Sequence, residues 1–176
     1  MRWFRHCDPR YPFLCETAEQ PPARWHGPGE RPARYFADTP AGAWAEHLRH
    51  EAITDPEDLV DVTRSLWAIE VPDNEVNEVP TPSLATETLT GGLDSHQACQ
   101  EEASRLRTGG AGLLTTPAAL LAGGATPQRT DRGLRSGLPA DGRTLVLFGP
   151  RSLLDGWKVV EGARLDAGPL GVTRQL

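Results

Sequence analysis

The sequence has no long apolar run and no excess of positive charge. No stretch approaches the length of a membrane span, and the opening MRWFRHCDPR does not read as a signal peptide. Formal net charge is −6 over 176 residues. That balance argues against direct nucleic-acid binding, which calls for a basic face. Cysteine is scarce: Cys7, Cys15 and Cys99 are odd in number and lack metal-ligand spacing. Free, buried thiols in a cytoplasmic protein are the simplest account. Several catalytic signatures are also missing. There is no G-x-x-x-x-G-K-[ST] phosphate loop, GAGLL lacks dinucleotide-fold spacing, and no G-x-S-x-G elbow occurs. No repeat of 20–50 residues is visible.

What the chain does have is punctuation. With 16 prolines and 18 glycines, its elements should be short and its loops numerous. Strands are expected at Trp3–His6, Ala33–Ala37, Ser65–Val71, Ala111–Thr116, Arg143–Phe148, Trp157–Val160 and Leu170–Thr173. Tyr11-Pro12-Phe13 begins a loop expected to pack its aromatics inward. Helices are expected from Pro40 to about Ala52 and from Leu93 to Leu106, with single helical turns near Asp55–Leu59, before Gly91 and over Ala118–Leu121. Residues 123–142, rich in Gly, Pro, Arg, Ser and Thr, read as a long mobile loop. Strands and helices mix without regular βαβ alternation. The fold class is therefore α+β, a compact single domain over 1–176 with mixed short strands.

The densest run of chemically capable residues is Arg24–Glu51, RWHGPGERPARYFADTPAGAWAEHLRHE. Pro28-Gly29 marks a turn. Asp38 or Thr39 is the N-cap of the following helix, with Pro40 at its first position. Ala41, Trp44, Ala45, Leu48 and Ala52 form its apolar stripe. Glu46 lies well off that stripe, near Gly42, Arg49 and Ile53. An acid there is ordinarily solvated; Gly42 and Ile53 suggest a second layer covering it. His47 and His50 stand at i, i+3, but HLRHE is not H-E-x-x-H, and no metal is expected.

In the Arg24-Trp25-His26 triplet, Arg24 has the planar fork to grip a phosphate. Tyr35 offers a ring for stacking. Glu46 offers a carboxylate able to stabilise an oxocarbenium ion or activate water in N-glycosidic cleavage.

These residues and their spacing resemble the RES domain family: Arg24 in ARWHGPG, Tyr35 in ARYFAD, Glu46 in GAWAEHLRHE, and a late strand TLVLF. The resemblance runs roughly from Trp3 to Phe148. It implies a fold akin to ADP-ribosyltransferases and an NAD pocket. In that pocket Arg24, Tyr35 and His26 bind the cofactor, and Glu46 lies near the ribose. It also implies NAD glycohydrolase, phosphorylase or ADP-ribosyl-transfer activity, as in the toxin of a toxin–antitoxin pair, with a protein antitoxin as partner. The family's third polar residue, a serine, falls on Pro117; Thr116, one residue away, is the hydroxyl expected to replace it catalytically. The alternative is an NAD- or ADP-ribose-binding module without turnover.

Overall fold

Thr39, in extended conformation, accepts a hydrogen bond from the Gly42 N–H at 2.9 Å and so caps helix α1, Pro40–His50. Of the two N-cap candidates it is Thr39 that fills the role. Pro40 follows at a position that needs no N–H. Gly42 lets the helix approach the strand before it: a Cβ there would lie 3.2 Å from the Ala37 Cβ and 3.0 Å from the Thr39 Oγ1.

The computed structural model describes residues 1–14, 20–76, 79–108, 112–117, 119, 124–130, 133–149, 154–165 and 167–174, with only the backbone at 74, 75, 113, 124–130 and 133–140. Six strands form one sheet: β1 (Arg2–Cys7), β2 (Ala33–Ala37), β3 (Thr63–Glu70), β4 (Leu113–Pro117), β7 (Arg143–Phe148) and β8 (Asp155–Arg164). Their order is β4-β7-β2-β1-β3-β8 and every pairing is antiparallel. Among the described residues four helices accompany them: α1, α2 (Asp73–Val76), α3 (Thr86–Thr90) and α4 (His96–Thr108). Short 3₁₀ turns cover Pro56–Leu59, Leu93–Ser95 and Gly168–Val172. This is the expected α+β fold.

Alternation along the strands separates two cores. Trp3, Phe36, Ile69, Leu145 and Leu147 pack on one face, with Phe13 and Leu154 against them. On the other face Ala33, Leu114 and Val146 meet Trp25, Leu89 and the α4 residues Cys99, Ala103 and Leu106. Ala37 and Leu66 on that same face meet Ala43 of α1.

The decisive feature is an interruption in the sheet. β1 pairs with β3 from Arg2↔Glu70 through Cys7↔Ser65, and β2 pairs with β7 from Ala33↔Phe148 through Ala37↔Thr144. Between β1 and β2 the register records one pair, Phe4↔Ala37. Beyond it the strands part, and the sheet opens.

Several expectations need correction. The stretch expected as a long loop over 123–142 instead holds two strands, β5 (Gly124–Thr130) and β6 (Gly133–Ala140), which pair antiparallel. Their polar sequence lacks the apolar alternation that marks a half-buried strand; a ladder is made by backbone groups, which composition does not reveal. Residues 168–172 form a 3₁₀ turn rather than a strand, because Pro169 supplies no ladder N–H and the Leu170 N–H bonds back to the Ala167 carbonyl. Tyr11 points outward, 58% exposed, whereas Phe13 turns in and stacks on Trp67. Cys7 and Cys99 are buried free thiols. Cys15, and most of the turn expected over 118–121, lie outside the described residues.

Candidate functional site

Where the sheet opens, a cleft of about 790 Å³ runs between α1 and the start of α4. Arg24, Tyr35, Glu46, Thr116 and Pro117 all line it. They arrive from a loop, two strands and a helix, which explains why sequence separation hides their proximity. Tyr35 and Thr144 come to this side because they lie on the strand face shared with Ala33, Ala37 and Val146.

Glu46 is half-buried rather than solvated. Its Oε1 accepts two hydrogen bonds at 2.8 Å, from the Ala119 N–H and the Thr144 hydroxyl. A carboxylate so held is fixed in direction. The hydroxyl on Glu46 therefore belongs to Thr144, which the sequence reading missed. Thr116 sits directly across the ladder from Thr144 and is 5% exposed, but its hydroxyl donates to the Pro117 carbonyl at 2.9 Å.

Tyr35 is braced at its tip. The Trp25 N–H donates to its hydroxyl at 3.2 Å. His26 Nε2 lies 2.8 Å from the Pro21 carbonyl and Nδ1 lies 3.1 Å from the tyrosine oxygen. A carbonyl only accepts, so Nε2 carries the proton and Nδ1 accepts from the Tyr35 hydroxyl. Burial lowers the His26 pKa, favouring that neutral tautomer, and burial pushes the Tyr35 phenol well above its ordinary value. With donor and acceptor both engaged, Tyr35 presents its ring to the cleft. His26, 1% exposed, is not among the lining residues. Its place is behind Tyr35, as a brace, and not on the cleft wall where the family resemblance implied it.

Arg24 turns toward the loop that follows α3. Its Nη1 donates to the Ser95 hydroxyl at 2.8 Å and to the Thr88 carbonyl at 3.3 Å, and its Nη2 to the Gly91 carbonyl. Arg49, 7% exposed, donates from Nη2 to the Thr90 carbonyl and to the Gly91 carbonyl at 2.9 Å. Burial and the Arg24 charge both lower the Arg49 pKa. The pair meets on one carbonyl, and Gly91 is required there: a Cβ would come 2.8 Å from the Glu87 carbonyl oxygen. The arginines pin this wall by part of their donors. Each keeps its Nε–H, and Arg49 its Nη1, without a partner among the described residues. Arg49 was legible only as a neighbour of Glu46 on the helix; its pairing with Arg24 depends on a fold contact between α1 and the loop at 90–91.

A cleft of this size lies within the roughly 300–1,000 Å³ usual for small-molecule sites. It combines a fixed carboxylate, an aromatic floor and a cationic wall. A family model for the RES domain matches residues 2–126. The chain belongs to the RES domain family. None of the curated proteins gives a significant match. The RES match ends before β7, so Thr144, which holds Glu46, falls outside the matched span. Among the described residues no helix is long and apolar enough to cross a membrane, and no group of three or more His, Cys, Asp or Glu is arranged to hold a metal ion.

Proposed function

We propose that this RES domain binds NAD in the cleft and cleaves its nicotinamide N-glycosidic bond. One observation carries the reading: Glu46 is held by Thr144 and Ala119 on the wall of the same cleft that Tyr35 and the Arg24–Arg49 pair line. The Nε hydrogens of both arginines and the Nη1 hydrogens of Arg49 suit the pyrophosphate, and the Tyr35 ring suits a flat heterocycle. Glu46, already fixed, stabilises positive charge on the nicotinamide ribose. As the C1′–N bond breaks, its electron pair leaves with nicotinamide, which departs neutral. An acceptor oxygen from water, phosphate or a protein side chain then bonds C1′ and releases its proton to solvent. The reading extends to a cytoplasmic toxin whose partner antitoxin plugs the cleft.

A binding module without turnover is the second reading, and one observation favours it. Pro117 lines the cleft where the family pattern has a serine, and the neighbouring Thr116 hydroxyl is spent on the Pro117 carbonyl. The two are separated by titrating NAD into the protein calorimetrically and measuring nicotinamide release on the same sample. Binding with release supports cleavage; binding without release supports the module; absence of binding removes both.

A further inference from the structure

Glu46 has two supports, and they are anchored differently. Thr144 lies within β7, inside the sheet. Ala119 does not: the ladder between β4 and β7 ends at Pro117↔Arg143, before Ala119 is reached. A donor fixes a carboxylate only as firmly as the donor is itself held.

What holds Ala119 comes from residues 168–174. Its carbonyl accepts from the Arg174 N–H at 2.7 Å. Its side chain, 0% exposed, packs with Ala45 of α1, and Val172 and Ala41 lie against the pair. The segment that supplies Val172 and Arg174 is itself tied down. Gly168–Val172 is a 3₁₀ turn, the Thr173 N–H donates to the Leu170 carbonyl at 3.3 Å, and the Thr173 hydroxyl donates to the Pro169 carbonyl at 2.7 Å. A relay results: Arg174 N–H to Ala119 carbonyl, then Ala119 N–H to Glu46 Oε1.

The amide and the side chain of Arg174 face different surroundings. The guanidinium is turned to Asp141, with Nη2 at 3.0 Å, and Arg174 is not among the residues lining the cleft. Its charge nevertheless acts on Arg49. The amide is turned to the residue that holds Glu46.

We propose that Arg174 is a positioning residue for the reaction: its backbone N–H fixes Ala119, and through Ala119 the direction of the Glu46 carboxylate. This rests on the reading of Glu46 as the group that stabilises the ribose cation. Arg174, like Thr144, falls outside the 2–126 span that the RES model matches. Two separate elements, β7 and the 168–174 segment, thus aim one carboxylate.

The test compares Arg174→Ala with Arg174→Pro. Both lack the guanidinium and its effect on Arg49; only proline lacks the N–H. Thr173, at φ −88° and ψ 129°, already has the extended backbone that a following proline requires. Nicotinamide release at saturating NAD and calorimetric NAD titration are measured on both variants and on wild type. Arg174→Pro is expected to release nicotinamide at least about tenfold more slowly than Arg174→Ala, with NAD affinity within about threefold and the same binding stoichiometry. Partial unfolding would lower the stoichiometry, and a lost ligand contact would lower the affinity. Val172→Ala is the second arm, because it loosens the packing on Ala119 and keeps every amide. It is expected to slow release about two- to fivefold at unchanged affinity, and it decides the matter if Arg174→Pro does not fold. Equal release by Arg174→Ala and Arg174→Pro overturns the proposal and leaves the Glu46 reading standing. So does wild-type release by Val172→Ala where Arg174→Pro does not fold. A loss of affinity that accounts for the loss of rate overturns it as well. If the wild type binds no NAD or releases no nicotinamide, the positioning role falls together with the Glu46 reading.

Discussion

Acid should loosen this protein over a defined pH window, through two histidines beside the cleft. His6 and His47 lie with ring centroids 4.6 Å apart, between β1 and α1. His6 Nδ1 accepts from the Arg64 guanidinium, which cannot accept a proton in return, so His6 must be neutral in the folded state. Burial and the His47, Arg64, Arg5 and His50 charges hold its pKa well below the ordinary value. His47 is 5% exposed, and burial with the Arg64 charge lowers it to about 4; Glu51 pulls the other way without compensating. In the unfolded chain both titrate near 6.5. Below that pH the unfolded state binds more protons than the folded one, so stability falls as pH drops from about 6.5 towards 4. Two and a half units at ~1.4 kcal/mol each, discounted for screening, give about 1–3 kcal/mol for His47, and His6 adds in the same direction. The Glu102–Arg105 pair acts in a lower window: Arg105 holds the carboxyl at about 2, so its contribution is lost as pH falls below about 4.5. Urea unfolding at closely spaced pH values from 8 to 4 measures this directly. The expected slope between 6.5 and 4.5 flattens in His47→Asn, whatever that substitution does to stability at pH 8. A flat wild-type profile across that interval, or an unchanged slope in the variant, refutes the reasoning.

The remaining expectations concern the site. Thr144→Val removes one of the two groups holding Glu46 with little change in volume; nicotinamide release is expected to fall about 10- to 100-fold, and more than in Thr116→Val, as initial-rate assays would measure. A greater loss in Thr116→Val would return the hydroxyl role to Thr116. Arg24→Lys keeps charge but gives up the fork that holds Ser95 and Gly91 together, so NAD affinity should weaken at least about tenfold in calorimetry. Unchanged affinity would remove Arg24 from ligand binding. Pro117→Ser restores a hydroxyl at the cleft and is expected to raise nicotinamide release; no rise, with NAD affinity intact, means the hydroxyl at this position is not limiting.

Local chemistry made half of this site legible. Thr39-Pro40 set the start of α1, and the alternation in ARYFA set which face Tyr35 shares with Ala33 and Ala37. Glu46 stood off the apolar stripe, as its helical angle required. The other half depends on contacts closed over long separations. Thr144 reaches Glu46 across 98 residues, and Arg49 reaches Gly91 across 42. The parting of β1 from β2, which makes the cleft, is a property of strand order and not of either strand's composition. For His26 the family resemblance implied a cofactor contact, yet neighbouring residues of an irregular loop face different surroundings, and His26 lies 1% exposed behind Tyr35.

The central claim is that Glu46 in this cleft drives loss of nicotinamide from NAD. The most direct measurement is nicotinamide release, quantified by chromatography, for wild type and Glu46→Gln, with NAD affinity determined on both. Glutamine keeps an oxygen able to accept from Thr144 and Ala119 but carries no charge to stabilise the ribose cation. The expected result is release by the wild type and at least about a hundredfold loss in Glu46→Gln, with affinity changed by less than about threefold. Equal rates in the two proteins, or no release by wild-type protein that binds NAD, would contradict it.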